Sequence, residues 1–147
     1  MTSQILLVSG PNLDRLGTRS PDVYGSATLD ELVARFTALA AAAGFEVTHV
    51  QSNFEGDLVE AVHAAVGNYA ALVINAGALS HTSWSLRDAL EEFDGVKIEV
   101  HLSNPAARER FRHRSTLASV VDGSIAGFGP ASYDLALDAV VRLRGAG

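Results

Sequence analysis

The pattern of apolar and polar positions divides this chain into alternating strands and helices. Ile5-Leu6-Leu7-Val8 and Ala71-Leu72-Val73-Ile74-Asn75 are unbroken apolar runs of strand length, as expected of strands buried on both faces of a parallel sheet. Phe45-Glu46-Val47-Thr48-His49-Val50 reads as a less buried strand. Val96-Lys97-Ile98-Glu99-Val100-His101-Leu102 alternates, and the segment from Val120 to Ala126 reads as a fifth strand. Between them the spacing turns helical. Thr28-Leu29-Asp30-Glu31 is a capping box, followed by Leu29, Leu32, Val33, Phe36, Leu39, Ala40 and Ala43 on one stripe until Gly44. Ser52-Asn53-Phe54-Glu55 opens a second capped helix running to about Gly67, and Leu86, Ala89, Leu90 and Phe93 form the inner face of a third. Ser103-Asn104-Pro105 starts a short arginine-rich helix through Arg108, Arg110 and Arg112. Pro130 starts the last helix, with Tyr133, Leu135, Ala136, Val140 and Leu143 on or near its buried stripe.

This alternation predicts an α/β chain with right-handed crossovers and helices on both faces of the sheet. The expected architecture is a flavodoxin-like, doubly wound, five-stranded parallel sheet of order 2-1-3-4-5, forming one domain over residues 1–147. In such a sheet ligands bind beyond the strand carboxyl ends where the order reverses, between strands one and three. Asn12 follows strand one at that edge, Asn75 ends strand three, and His101 with Ser103 leaves strand four.

From Gly10 to Gly25 the pattern stops. Two prolines and three glycines in these sixteen residues argue against a regular element. A connection this long in a small domain is usually a lid or binding loop, and the expected lid covers about residues 17–25. It carries Tyr24, Arg15 and Arg19; a loop tyrosine by itself is usually an apolar plug with a wet hydroxyl, and a phenol beside fixed positive charge is also a potential base. A free phenol ionises near pH 10, so service as a base near neutrality asks for roughly 3–4 kcal/mol of preference for the anion. Adjacent guanidiniums supply an effect of that size; the sequence offers Arg19 in the loop, and Arg108 or Arg112 after strand four.

Composition narrows the choice. The chain has 147 residues, 48% apolar, enough for one real core. A net charge of -6 and the absence of any lysine cluster argue against a nucleic-acid surface. No cysteine is present, which removes disulfides, thiolate metal sites and a cysteine nucleophile, and suits the cytoplasm. The apolar run ending at Gly10-Pro11 is too short for a signal-peptide core or a membrane span. No two histidines have metal-ligand spacing, so neither a metal nor a cofactor is expected.

Among polar residues at the binding edge, a lone strand-end histidine is more often structural than catalytic. Glu99, two residues before His101 and on the same strand face, changes that reading: a carboxylate there can hold one imidazole nitrogen and leave the other for a ligand. His81, with Thr82 and Ser83 after a glycine turn, is an even choice between helix-start residue and ligand contact. His49, His63 and His113 are assigned to surface or packing. Asn75 needs a partner, because an unpaired buried amide costs roughly 1–3 kcal/mol. Asn12 reads equally well as a turn residue.

Several motifs occur in a set order. Gly10-Pro11-Asn12-Leu13, Leu16-Gly17-Thr18-Arg19 and Tyr24-Gly25 are followed by Gln51-Ser52-Asn53 with Glu55-Gly56, and then by Ile74-Asn75-Ala76-Gly77 with Ser80-His81-Thr82-Ser83. Leu86-Arg87-Asp88-Ala89, Glu99-Val100-His101-Leu102-Ser103-Asn104, Phe111-Arg112-His113 and Gly127-Phe128-Gly129 complete the series. In these the chain resembles the type II dehydroquinases over essentially its whole length. The resemblance implies reversible anti elimination of water from 3-dehydroquinate to 3-dehydroshikimate through an enolate, a step of the shikimate pathway of aromatic amino acid biosynthesis. It implies Tyr24 as base with Arg19 holding it ionised, His101 oriented by Glu99 as acid, and Asn12 helping to hold a water against the enolate oxygen. Asn75, His81, Leu102, Ser103 and Arg112 match positions that hold the substrate. Asp88 matches one contributed across a subunit interface, in trimers packed into a dodecamer. Ser9, Ser20, Pro105-Ala106, Arg114 and Pro130-Ala131-Ser132 depart from the usual residues and remove none of these groups.

Two other readings fit the same sheet, since fold does not specify chemistry. A flavin-binding module or phosphoryl receiver is disfavoured by strand ends that carry Asn12, Asn75 and His101 instead of clustered carboxylates. An inert scaffold is separated from an enzyme by activity alone. A Schiff-base mechanism needs a lysine in the pocket, and Lys97, the only lysine, lies near the start of strand four, away from the binding edge.

Overall fold

The two unbroken apolar runs occupy the middle of the sheet. The computed structural model describes residues 3–18 and 21–145, with the backbone alone at positions 21 and 24. Its strands are β1 (Ser3–Ser9), β2 (Phe45–Gln51), β3 (Ala71–Asn75), β4 (Val96–His101) and β5 (Gly123–Ala126), all parallel, in the order β2-β1-β3-β4-β5. The helices are α1 (Pro21–Tyr24), α2 (Leu29–Ala42), α3 (Glu55–Ala65), α4 (Trp84–Glu92) and α5 (Ala131–Gly145).

Strand geometry sends alternate residues to opposite faces, and each face has its own core. Ile5, Leu7, Val73, Ile98 and Val100 pack with Leu32 and Phe36 of α2 and with Tyr133, Ala136 and Val140 of α5. Leu6, Val8, Leu72 and Ile74 pack with Leu58 and Val62 of α3 and Leu86 and Leu90 of α4. Each fully buried leucine, isoleucine or phenylalanine contributes roughly 1.5–3 kcal/mol. On the first face, the rings of Phe36 and Tyr133 meet edge to face at 6.4 Å, and Arg35 donates two hydrogen bonds to Asp134 at 3.0 and 2.7 Å. The capping box before α2 forms as expected, the Glu31 N–H donating to Thr28 Oγ1 at 3.2 Å.

Several expectations are corrected. The Gly10–Gly25 stretch is not wholly irregular: a 3-10 turn covers Leu13–Arg15, buried on Leu13 and Leu16, and α1 begins at Pro21, where a proline is tolerated at the first helical position. The arginine-rich helix is instead two 3-10 turns, Pro105–Ala107 and Arg110–Arg112, separated by extended backbone at Arg108 and Glu109. β5 starts at Gly123, because Asp122 leaves the strand pairing and forms a local clasp. Its N–H donates to the Lys97 carbonyl at 2.8 Å, and its carboxylate accepts from the Lys97 N–H at 2.8 Å. The cap position before α3 is Phe54, without a side-chain cap. Ser52 Oγ accepts from the Phe54 N–H and donates to Asp57. On α5, Leu135 and Leu143 are exposed and Leu137 is buried. β4 alternates in sequence but not in burial, since Ile98, Glu99 and Val100 are all buried. Among the described residues no helix is long and apolar enough to cross a membrane.

Candidate active site

At the carboxyl end of the sheet, the turn after β1 is tied to the ends of β3 and β2. The Gly10 N–H donates to the Asn75 carbonyl at 2.8 Å, joining the turn after β1 to the end of β3. The approach is so close that a Cβ on Gly10 would lie 2.3 Å from the Ala76 oxygen, so the position requires glycine. β2 clamps the same turn from the other side: Gln51 Nε2 donates to the Gly10 carbonyl at 3.3 Å, and the Asn12 N–H donates to Asn53 Oδ1 at 2.8 Å. Asn12 has φ 70°, a left-handed conformation that asparagine tolerates better than most residues. Gly17 (φ 91°) lies against Ser26 and Thr28; a Cβ there would sit 3.3 Å from the Ser26 oxygen and 3.1 Å from Thr28 Cγ2. The chain between them therefore leaves and returns at one point.

A pocket opens at this edge. It is lined by Leu13, Asn75, Gly77, Ala78, His81, His101, Leu102, Ser103, Pro105, Arg108 and Arg112. Two guanidiniums, both with Glu109 within 4 Å, and two imidazoles line it with no carboxylate in the lining, an arrangement able to bind an anion.

Each polar wall residue is held from behind. Glu99 is 1% exposed, and its Oε2 accepts from His101 Nε2 at 2.6 Å, which leaves Nδ1 as the imidazole nitrogen open to a ligand. Asn75 is fixed at both ends of its amide: Oδ1 accepts from the Gly77 N–H at 3.2 Å, and Nδ2 donates to the Tyr133 hydroxyl at 3.1 Å. One Nδ2 proton remains for a ligand. His81 Nδ1 lies 2.8 Å from the Arg114 carbonyl, an acceptor only, so Nδ1 carries the proton and the neutral ring offers Nε2 as an acceptor. Arg112 stacks 4.7 Å from the centre of the Phe111 ring and donates from Nε to Glu109 at 3.1 Å. Arg108 Nη1 donates to Ser103 Oγ at 3.2 Å. The Glu109 carboxyl is held below the usual carboxylate range by its own backbone N–H and then by Arg112.

The structure thus brings together Asn75, His81, His101, Leu102, Ser103 and Arg112, with Glu99 behind His101. Asn12 is exposed and outside the pocket lining. Asp88 is exposed on α4, 2.8 Å from Arg87, also outside the lining. Arg19 and the side chain of Tyr24 lie outside the described residues. Lys97 is at the opposite end of β4, its Nζ donating to the Leu90 carbonyl at 2.9 Å. Among the described residues no group of three or more histidines or carboxylates is arranged to hold a metal ion. Sequence reasoning missed three supports, Tyr133 as the partner of Asn75 and Ser115 and Ser124 as partners of Glu99.

Tyr133→Phe is expected to cost about 1–3 kcal/mol in urea unfolding, because Asn75 Nδ2 loses its acceptor where water does not reach. The same variant removes a pH dependence. Burial pushes the Tyr133 phenol from 10.0 up to about 12. The unfolded chain therefore releases this proton first, and wild-type stability falls as pH rises from about 10 towards about 12. That component of the fall is expected to be absent from the phenylalanine variant.

Comparison with known proteins finds close relatives. Residues 3–141 match the family described as dehydroquinase class II. The chain is 52% identical over 133 residues to the 3-dehydroquinate dehydratase of Bacillus licheniformis, covering 90% of this chain and 92% of that one. It is 47% identical over 144 residues to the 3-dehydroquinate dehydratase of Corynebacterium glutamicum, covering 98% and 99%. The crystal structure of type II dehydroquinase from Propionibacterium acnes superposes with a TM-score of 0.92 at 42% identity, covering 97% of this chain and 98% of that one.

Proposed function

The chain belongs to the class II dehydroquinase family, and from that premise we propose that it is a 3-dehydroquinate dehydratase. It removes water from 3-dehydroquinate reversibly, by anti elimination through an enolate, to give 3-dehydroshikimate. Tyr24, as tyrosinate, takes the proton from the carbon beside the ketone, and Arg19 holds the phenol ionised. The electron pair left on carbon passes into the carbonyl as an enolate, with a water held by Asn12 against the developing oxyanion. The enolate then collapses to form the carbon–carbon double bond and expels the hydroxyl, which His101 protonates as it leaves. Glu99 orients the imidazole and balances its positive charge.

The observation that carries this reading is the buried Glu99 carboxylate 2.6 Å from His101 at the wall of a cationic pocket. A carboxylate behind an imidazole fixes its orientation and stabilises its protonated form, as a general acid requires. Arg112, Asn75, His81, Leu102 and Ser103 hold the substrate carboxylate and hydroxyls. Residues 17–25 act as the lid of a single catalytic domain, a role supported by the meeting of their flanks at Gly17 and Ser26. Asp88 completes the site from a neighbouring copy in trimers packed into a dodecamer, working in the cytoplasm. No metal or cofactor takes part in this scheme.

The test is to mix the protein with 3-dehydroquinate and follow the ultraviolet absorbance of the conjugated enone product. A steady rise proportional to enzyme is the expected result, and a flat trace would overturn the assignment.

A further inference from the structure

The Glu99 carboxylate is held by more than its histidine. Ser115 Oγ lies 2.9 Å from Oε1 and 2.9 Å from Oε2, and Ser124 Oγ lies 3.4 Å from Oε1. The Leu117 N–H donates to Ser115 Oγ at 3.1 Å. A serine hydroxyl has one proton and two acceptor positions. With the Leu117 N–H in one acceptor position, the proton is turned towards the carboxylate, and the two oxygens share it.

The loop that presents Ser115 is pinned on both sides. Its preceding residue, Arg114, gives its carbonyl to His81 Nδ1 at 2.8 Å. The following residue, Thr116, donates its N–H to the Ser80 carbonyl at 2.7 Å, and its hydroxyl lies 3.1 and 3.2 Å from the carbonyls of Ser80 and Ser83. Both ties run to the segment after β3, which also supplies wall residues of the pocket.

The geometry points to Ser115 as a positioning residue for the dehydration. Its hydroxyl locks Glu99 in the rotamer whose Oε2 holds His101 Nε2, so that Nδ1 stays the nitrogen that serves the substrate. A glutamate side chain has three rotatable bonds. Without Ser115 the carboxylate would keep only the histidine itself and the longer Ser124 contact, and the pair would drift together. This inference rests on the reading of His101 as the group that protonates the departing hydroxyl.

The experiment compares Ser115→Ala and Ser115→Thr in the full-length enzyme by two readouts. One is steady-state turnover of 3-dehydroquinate. The other, independent of activity, is the low-field proton signal of the His101 imidazole N–H held by Glu99, in enzyme carrying 15N-labelled histidine. Loss of one hydrogen bond to a charged group is expected to lower kcat in Ser115→Ala roughly tenfold or somewhat more, with KM within about twofold, and to shift or broaden the low-field signal. Ser115→Thr, which keeps the hydroxyl, is expected to recover both. If the alanine variant fails to assemble, Ser115→Cys replaces it, with a similar volume and only a weak donor. An unchanged signal in the alanine variant, or a raised KM with kcat kept, overturns the positioning role. An altered signal with unchanged turnover leaves the Ser115–Glu99–His101 link in place and rejects His101 as the acid beneath it.

Discussion

Tyr24→Phe is expected to lower turnover of 3-dehydroquinate by roughly 10³–10⁴-fold, the upper range for loss of a positioned base, while fold and assembly stay intact. The substitution removes one oxygen and leaves the ring. Few described groups at the pocket could stand in: the lining holds no carboxylate, His101 is paired with Glu99, Lys97 is at the far end of its strand, and His81 Nε2 is left to sustain only the residual rate. The backbone of Tyr24 closes α1, just before Gly25, in a segment whose two flanks meet at Gly17 and Ser26. The measurement is kcat by enone absorbance, with circular dichroism and size-exclusion chromatography on the same sample. Turnover near the wild-type rate in a well-folded variant would show that the ring serves only as an apolar plug.

What the sequence makes legible here follows from the range over which each signal acts. The runs at Ile5–Val8 and Ala71–Asn75 are local and unambiguous, and with the alternation of elements they give the sheet order, since right-handed crossovers leave few topologies. The Glu99–His101 pair is legible for the same reason, being two residues apart on one strand face. The arginine-rich segment misleads because its local signals favour a helix. Asn104 does accept from the Ala106 N–H, with Pro105 following as expected. The run is then broken by contacts over five residues that periodicity does not encode, Arg108 reaching back to Ser103 and His113 bonding the Arg108 carbonyl.

The supports behind the wall are harder still. Asn75 announces that it needs a partner but not which, and Tyr133 stands 58 residues away on a helix whose stripe reads as plain packing. Ser124 was within reach: once β5 is set beside β4, the register places it opposite Glu99. Ser115 has no such handle, because it lies in a loop without periodicity.

Glu99→Gln is the second change expected to act strongly, lowering kcat by roughly 10²–10³-fold with KM little altered. The carboxylate receives His101 Nε2, Ser115 and Ser124, and is closed to water. Glutamine offers one oxygen and one amino group in the same space. The amino group cannot face Nε2–H, which is a donor on a ring fixed in the wall. It can face the serines, whose hydroxyl protons turn. The amide oxygen therefore settles on His101, and geometry survives while charge does not. A neutral partner still orients the imidazole but no longer compensates the imidazolium that an acid must be. Breaking a buried pair costs about 3–5 kcal/mol, and the part felt in the transition state appears in kcat at about 1.4 kcal/mol per decade. The substrate contacts proposed for Arg112, Asn75 and His81 do not involve this carboxylate, so KM is expected to hold. A kcat within threefold of wild type would mean that the carboxylate only orients the ring. A raised KM at unchanged kcat would assign Glu99 to the shape of the pocket rather than to the chemistry within it.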